Sequence, residues 1–163
     1  MSRVFIRFAV ARDAGRLISD GVLRNVATTT PWRARVDNWL AEQQAGRRLI
    51  LVAENASHLL GTAQIVFTFP PGLDDPETAN GKDVAMMEML QLRRDAPKGL
   101  AERLIADVEN VARKRSVQTL TFCVPMNNDR AVAQARSWGF QEFRIMPDGK
   151  QMFAFFRRAI SES

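Results

Sequence analysis

Apolar residues in this 163-residue chain recur with two periods, which predicts alternating strands and helices. The clearest helix spans Lys98 to Lys114, because Leu100, Leu104, Val108 and Val111 recur on one of its faces. Runs rich in β-branched, aromatic and other apolar residues predict strands. These runs are Val4–Val10, Leu49–Ala53, Leu60–Phe69, Val84–Leu92, Gln118–Val124, Phe140–Met146 and Gln151–Arg157.

Three further helices are predicted from capping and breaking residues. One spans Asp13–Val26, one begins near Pro31 and ends at Gly46, and one is capped by Asn127 or Asn128 and ends at Gly139. The element order βααβββαβαββ predicts an α/β fold of the mixed α+β kind, with helices on both faces of a mixed sheet. Residues 84–124 should form a parallel strand–helix–strand unit, with antiparallel pairing elsewhere. We expect residues 1–163 to form a single domain.

Composition excludes several classes of function. Cys123 is the single cysteine and His58 the single histidine, so no internal disulfide or cysteine-cluster metal site is possible, and we predict no metal. We expect a cytoplasmic protein without a membrane partner, because no apolar run is long enough to cross a bilayer and no signal-like segment begins the chain. The formal charge of +5 favours anionic partners. The basic residues are dispersed, which argues against nucleic acid as a partner.

The segment from Glu88 to Ala101 predicts an anion site. It reads as a strand, a short basic turn that contains Gly99, and a strong helix. Unpaired amides at a helix start attract anions, and Arg93, Arg94 and Lys98 add positive charge. A diphosphate suits such a site. The alternative is an ordinary strand–helix turn with solvated basic side chains.

Three motifs in this order resemble those of the GNAT superfamily of N-acyltransferases, and the resemblance covers nearly the whole chain. Leu90-x-Leu92, the basic turn and Gly99-x-Ala101 resemble the motif that holds the coenzyme A pyrophosphate. Asn128–Phe140 is similar to the family's Asn-x-x-Ala helix that ends in Gly-Phe, and Asp148–Met152 resembles its last hairpin. The resemblance implies that acetyl-CoA is the acyl donor. It implies binding by Leu90, Leu92, Arg93, Arg94, Lys98, Gly99, Leu100, Ala101 and Asn128.

The chain also departs from the family pattern. Ala96 stands where relatives usually have glutamine or arginine, and Pro97 replaces a common glycine and removes an amide donor. Ala135 occupies the position of a tyrosine that is proposed to protonate the departing thiolate, and the chain contains no tyrosine. A coenzyme A-binding domain without catalytic activity, which would serve as a sensor or partner module, is therefore the alternative to an active enzyme.

Glu88 is the candidate general base. If the strand alternates regularly, Glu88 shares a face with Met86, Leu90 and Leu92, where a carboxylate suits proton abstraction. The competing interpretation is a structural carboxylate paired with an arginine. By resemblance, the backbone N–H of Leu92 or Arg93 polarises the acyl carbonyl. Cys123 is a candidate proton donor to the thiolate, although it also suits a small core residue.

The acceptor pocket is expected to form from residues 27–32, 69–82 and 144–150. Asp74, Asp75 and Glu77 make the second segment acidic, which suits either an amine or a solvated loop. The acceptor is a small-molecule or peptide amine, and its identity stays open. The Phe153–Phe156 strand could be a sheet edge that pairs across a homodimer.

Overall fold

The computed structural model describes residues 3–23 and 32–161, which form a seven-stranded sheet with helices packed on both faces. The strands are β1 (Phe5–Phe8), β2 (Arg48–Glu54), β3 (Leu59–Val66), β4 (Val84–Leu92), β5 (Thr119–Pro125), β6 (Gln141–Asp148) and β7 (Gln151–Ala159). The helices are α1 (Asp13–Ser19), α2 (Trp32–Gln44), α3 (Leu100–Lys114) and α4 (Asp129–Ser137). No helix within the described ranges has the length and apolar character to cross a membrane.

The predicted order of elements is confirmed, and the differences lie at the boundaries. Helix α1 ends at Ser19, before Gly21 with its φ of 77°, and the predicted continuation over residues 24–26 lies outside the described residues. Helix α3 begins at Leu100, two residues later than predicted, because Gly99 adopts the left-handed conformation (φ 88°) and ends the preceding turn.

The sheet order is β1-β2-β3-β4-β5-β7-β6. Only the β4–β5 pair is parallel in this sheet, and α3 connects the two strands, as the sequence predicts. Their pairing runs from Val84 opposite Thr119 to Met87 opposite Phe122. Beyond that point the register contains no further partners, so the carboxyl ends of the two strands separate. Ligand sites in α/β sheets favour such points.

The predicted edge strand is wrong. Strand β7, which carries Phe153, Phe155 and Phe156, lies between β5 and β6 and pairs with both. The edges are β1 and β6. Phe156 is fully buried in the main core, which accounts for the incomplete alternation of this strand. Strand β7 therefore has no free backbone edge with which to pair across a dimer.

The regular alternation expected for β4 is also wrong. Between the pairs Gln64–Glu88 and Thr62–Gln91, the residues Met89 and Leu90 face the single residue Ala63. This is a β-bulge, and Met89 adopts a φ of 53° within it. After the bulge, each residue of β4 points to the opposite side of the sheet from the one that regular alternation predicts. Leu90 and Leu92 therefore pack against the α3 side of the sheet, whereas Met89 packs against the side that carries α1 and α2.

A buried carboxylate attaches α1 to the sheet. Asp13 accepts hydrogen bonds from the Arg7 guanidinium at 2.7 and 2.9 Å and from the Val10 amide at 2.7 Å. Burial alone raises the pKa of Asp13, but the bonds from Arg7 and Val10 outweigh it, so the pKa lies below its ordinary value of 3.8.

We expect Asp13→Asn to lower the free energy of unfolding by about 2–3 kcal/mol at neutral pH, because it removes a charge-assisted pair from a buried site. Since the folded-state pKa is depressed, this contribution is present above the unfolded pKa and disappears as the pH falls through the folded value. Urea unfolding of the wild type and of Asp13→Asn from pH 7 to pH 2 measures this contribution as the difference in unfolding free energy. The gap in unfolding free energy should be constant near neutrality and shrink below about pH 4. A gap that persists undiminished at pH 2 would contradict the assignment.

Candidate active site

A cleft opens where β4 and β5 separate. It holds a cavity of about 610 Å³, lined by the ends of both strands, by β7 and by the β3–β4 loop. Glu88 contributes from β4 and Cys123 from β5, so the two predicted catalytic residues line the same cavity. The loop contributes Asp74 and Asp75, as the acceptor-pocket prediction requires. Residues 27–31 of that prediction lie outside the described residues.

The turn between β4 and α3 forms a second cavity of about 440 Å³. Of the nine predicted cofactor-binding residues, seven line it: Leu92, Arg93, Arg94, Lys98, Gly99, Leu100 and Ala101. Arg94 and Lys98 are exposed, whereas Arg93 pairs with Asp95 at 2.8 Å and is partly neutralised. A Cβ added at Gly99 would meet no atom within 4 Å, so the left-handed backbone, and not space, favours glycine there.

A narrow groove of about 170 Å³ adjoins both of these cavities. It shares Leu92 and Ala101 with the basic turn and Phe122 with the cleft, and Leu90, the eighth predicted residue, also lines it. Trp138 from the α4 side completes its wall. Basic turn, groove and cleft therefore follow one another across the carboxyl end of β4, each bordering side chains of the next.

Asn128, the ninth predicted residue, caps α4. Its Oδ1 accepts the Ala131 amide at 3.1 Å, as the capping alternative anticipated. A role of Asn128 in binding stays a prediction. Ala135 is fully buried in the main core, and its methyl side chain cannot donate a proton.

Glu88 belongs to a buried polar network. Its Oε1 accepts a hydrogen bond from Arg48, which also contacts Gln64 and donates from Nε to Glu42 at 2.7 Å. Arg48 is 7% exposed and Glu42 is 6% exposed, and the guanidinium lies 5.9 Å from the centre of the Trp39 ring. This network fixes one oxygen of Glu88 through β2, β3 and α2. Sequence reasoning missed Arg48 because only the pairing of β2, β3 and β4 brings its side chain to Glu88, across the intervening strand β3.

One predicted carbonyl-polarising donor is ruled out. The Arg93 amide donates to the Leu60 carbonyl at 2.8 Å, because β3–β4 pairing continues past the end of the strand. Leu92 is paired with Gly61, where a Cβ would come within 2.7 Å of Leu92 Cδ2. A side chain at position 61 would therefore displace the end of the Leu92 side chain and crowd the Gln91 carbonyl at 3.3 Å, so glycine suits this close approach of β3 and β4.

A clamp closes the far side of the cleft. Arg144 on β6 donates to both carboxylate oxygens of Asp75 at 3.0 and 2.6 Å and to Thr78 Oγ1 at 3.0 Å. Its guanidinium also lies 4.3 Å from the centre of the Phe155 ring. The Arg144 bonds lower the pKa of Asp75. The clamp holds the β3–β4 loop against the last hairpin. The only sign of this clamp in the sequence was the acidic character of that loop.

Burial raises the pKa of the Cys123 thiol to about 11. Arg144 works against this shift, whereas Asp148, Glu88 and Asp75 add to it. The thiol therefore stays protonated at neutral pH, and it lies at the boundary between the cleft and an adjoining cavity of about 230 Å³.

The chain matches the sequence model of the acetyltransferase (GNAT) family over residues 20–140 and belongs to that family. The structure agrees with solved members of the fold. It is similar to yncA from Salmonella typhimurium, solved with its cofactor acetyl-CoA (19% identity, 98% and 95% of the two chains, TM-score 0.72). It is also similar to an N-acetyltransferase from Staphylococcus aureus Mu50 (18% identity, 98% and 100% of the two chains, TM-score 0.73). A third similar structure is the ribosomal-protein-alanine N-acetyltransferase from Brucella melitensis (22% identity, 95% and 99% of the two chains, TM-score 0.71). No curated protein sequence is significantly similar to the chain.

Proposed function

We propose that the chain is an acetyl-CoA-dependent N-acetyltransferase that acetylates a primary amine of a small molecule or peptide by direct attack. The separation of β4 and β5 carries the proposal, because it places Glu88 and Cys123 in one cavity, and a groove that shares wall residues with this cavity also borders the basic turn. Family membership supports the reaction class.

The residues of the basic turn and groove suit acetyl-CoA. Arg94 and Lys98 supply positive charge beside the first amides of α3, a combination that suits a diphosphate. The groove beyond it is walled by Leu90, Leu92 and Phe122, which suits a slender and largely apolar arm. Acetyl-CoA supplies the activated acetyl carbonyl when bound. Pro97 has no backbone N–H to donate, so we assign more of the binding to Arg94 and Lys98.

Glu88 accepts a proton from the substrate ammonium group, the resulting amine nitrogen bonds to the acetyl carbon, and the carbon–sulfur bond breaks while the second nitrogen proton passes to solvent. Arg48 holds Glu88 Oε1, which orients the carboxylate toward the cavity. The β4 bulge supplies the carbonyl-polarising amide, because a bulge leaves one residue outside the strand pairing. That residue lies at Met89–Leu90, where β4 has left β5.

Cys123 acts at the sulfur end of the reaction. Proton transfer from a thiol with a pKa of about 11 to a thiolate of about 8.5 is uphill by roughly 3 kcal/mol. Cys123 therefore donates a hydrogen bond to the departing sulfur, and solvent supplies the proton. This assignment replaces the tyrosine that Ala135 cannot provide.

A catalytically inactive, coenzyme A-binding domain is the second candidate function. Two observations favour it, the buried Ala135 at the tyrosine position and Ala96 in the basic turn. The two candidates separate when acetyl-CoA binding is measured by calorimetry beside thiol release with a panel of amines. Binding without thiol release would establish the second.

We expect Lys98→Glu to raise the Kd for acetyl-CoA and for desulfo-CoA at least about tenfold, because it replaces a charge-assisted phosphate contact by repulsion. Isothermal titration measures the effect. Lys114→Glu is the matched control, since it makes the same change at the other end of α3, roughly 20 Å away and beyond the screening length. Equal Kd values for the two variants would show that the basic turn does not hold the phosphates.

A further inference from the structure

The walls of the cleft are chiefly apolar. Three phenylalanines and three methionines line it, namely Phe69, Phe122, Phe155, Met86, Met87 and Met89. Its volume of about 610 Å³ lies within the range of pockets that enclose small molecules. Unbranched methionine side chains adapt to irregular apolar shapes. Hydroxyl or amide groups of a ligand would find few partners on these walls, and burying them unpaired is costly.

The charged groups around the cleft are predominantly acidic. Four carboxylates line it, and two of them have arginine partners, Arg48 for Glu88 and Arg144 for Asp75. Among the described residues, Asp74 and Asp148 make no side-chain hydrogen bond or ion pair, and both are exposed at the rim. Burial chiefly raises the pKa of Cys123 in the cleft wall, Arg144 lowers it, and Asp148, Glu88 and Asp75 each raise it further.

These carboxylates do not form a metal site. Within residues 3–23 and 32–161, no group of three or more histidine, cysteine or acidic side chains is placed to hold a metal ion. The two terminal nitrogens of the Arg144 guanidinium donate to the Asp75 carboxylate and to Thr78, and its Nε is buried without a hydrogen-bond partner among the described residues. Among the described residues no arginine, lysine or histidine lines the cleft, so a ligand carboxylate would meet Asp148 and Asp74 there.

We propose that the acceptor is a small primary amine on an apolar or aromatic body that carries no carboxylate. Asp74 and Asp148 attract its ammonium group at the rim, and the phenylalanine and methionine walls receive its body. Glu88 then lies deeper in the same cleft to take the proton. This inference rests on the proposed acetyl transfer and specifies its substrate class. It excludes amino acids and amino sugars as preferred acceptors.

Matched acceptors test the inference. With the wild-type protein, kcat/KM for acetylation of 2-phenylethylamine should exceed that for phenylalanine by roughly a hundredfold, because the second differs only by an added carboxylate. The kcat/KM for hexylamine should likewise exceed the values for 6-aminohexanoate and for glucosamine. Thiol release gives the rate, and mass spectrometry identifies the N-acetyl product. A peptide with an N-terminal alanine that outcompetes every small amine would overturn the inference.

Binding separates this inference from the proposed reaction. Calorimetry with the desulfo-CoA complex should show 2-phenylethylamine binding at least about tenfold more tightly than phenylalanine, whether or not acetyl transfer occurs. If this binding preference is found but acetyl-CoA and the same amine give no thiol release, catalysis is refuted and the substrate class is supported. Equal binding, or no binding of either compound, would overturn the substrate class.

Rim variants locate the discrimination. The double variant Asp74→Asn/Asp148→Asn should raise the Kd of 2-phenylethylamine about three- to tenfold and reduce the discrimination against phenylalanine. Asp37→Asn, which makes the same change on the exposed face of α2, is the matched control and should leave both values unchanged. Unchanged discrimination in the double variant would overturn the role given to the two rim carboxylates.

Discussion

Replacing Arg48 by methionine should lower the free energy of unfolding by about 3–5 kcal/mol, which is a large fraction of the stability of a domain of this size. The reason is the charge that the substitution leaves behind. Glu42 and Arg48 are both almost completely buried, and Arg48 is also the partner of Glu88. Without the guanidinium, the Glu42 carboxylate is buried with no cation beside it. Urea unfolding followed by circular dichroism measures the loss.

Two further variants show whether the unpaired charge is the cause. The double variant Glu42→Gln/Arg48→Met should be more stable than Arg48→Met alone, because it removes the stranded carboxylate together with its partner. Arg33→Met is the matched control on α2, where Arg33 and Asp37 form an exposed pair at 3.2 Å, and it should cost less than about 1 kcal/mol. A loss for Arg48→Met no larger than that of Arg33→Met would show that the network contributes little.

The fold was largely predictable because its signals are local. The apolar stripe of α3, the Asn55 turn between β2 and β3, and the Asp148–Gly149 turn each require only neighbouring residues. The position of β7 was not predictable in this way. Whether Phe155 lies in an edge strand or an inner strand depends on which strands pair at a distance, and the phenylalanine pattern is compatible with both.

The candidate site was predictable only in part, for the same reason. The basic turn at Lys98 and Gly99 is contiguous in sequence, so its place between β4 and α3 was predictable, while its role in binding stays a prediction. The partners Arg48 and Glu88 lie 40 residues apart and meet only through the pairing of β2, β3 and β4. The bulge at Met89 had no sequence signal, because methionine has no preference for a positive φ. Alternation alone therefore placed Leu90 and Leu92 on the wrong face.

Replacing Glu88 by glutamine should lower kcat by about 10²- to 10⁴-fold, the usual contribution of a positioned general base. Glutamine has nearly the same shape, and its carbonyl oxygen can still accept the bond from Arg48, so the network should persist. The melting temperature and the Kd for acetyl-CoA should therefore stay close to the wild-type values. Steady-state thiol release with 2-phenylethylamine, beside calorimetry with acetyl-CoA, measures both effects.

A purely structural Glu88 would behave differently, and the comparison decides between the two roles. Glu142→Gln makes the same change on an exposed residue of β6 and should leave kcat unchanged. If Glu88 is the base, the ratio of the wild-type kcat to the Glu88→Gln kcat should fall as the pH approaches the pKa of the substrate ammonium group, roughly 10. Solvent then removes the proton in place of Glu88. If Glu88 has only a structural role, the Glu88→Gln variant should have a lower melting temperature than the wild type, and the ratio of the two kcat values should not depend on pH. A kcat within about twofold of wild type would assign Glu88 to the Arg48 network alone, since a lost general base costs far more.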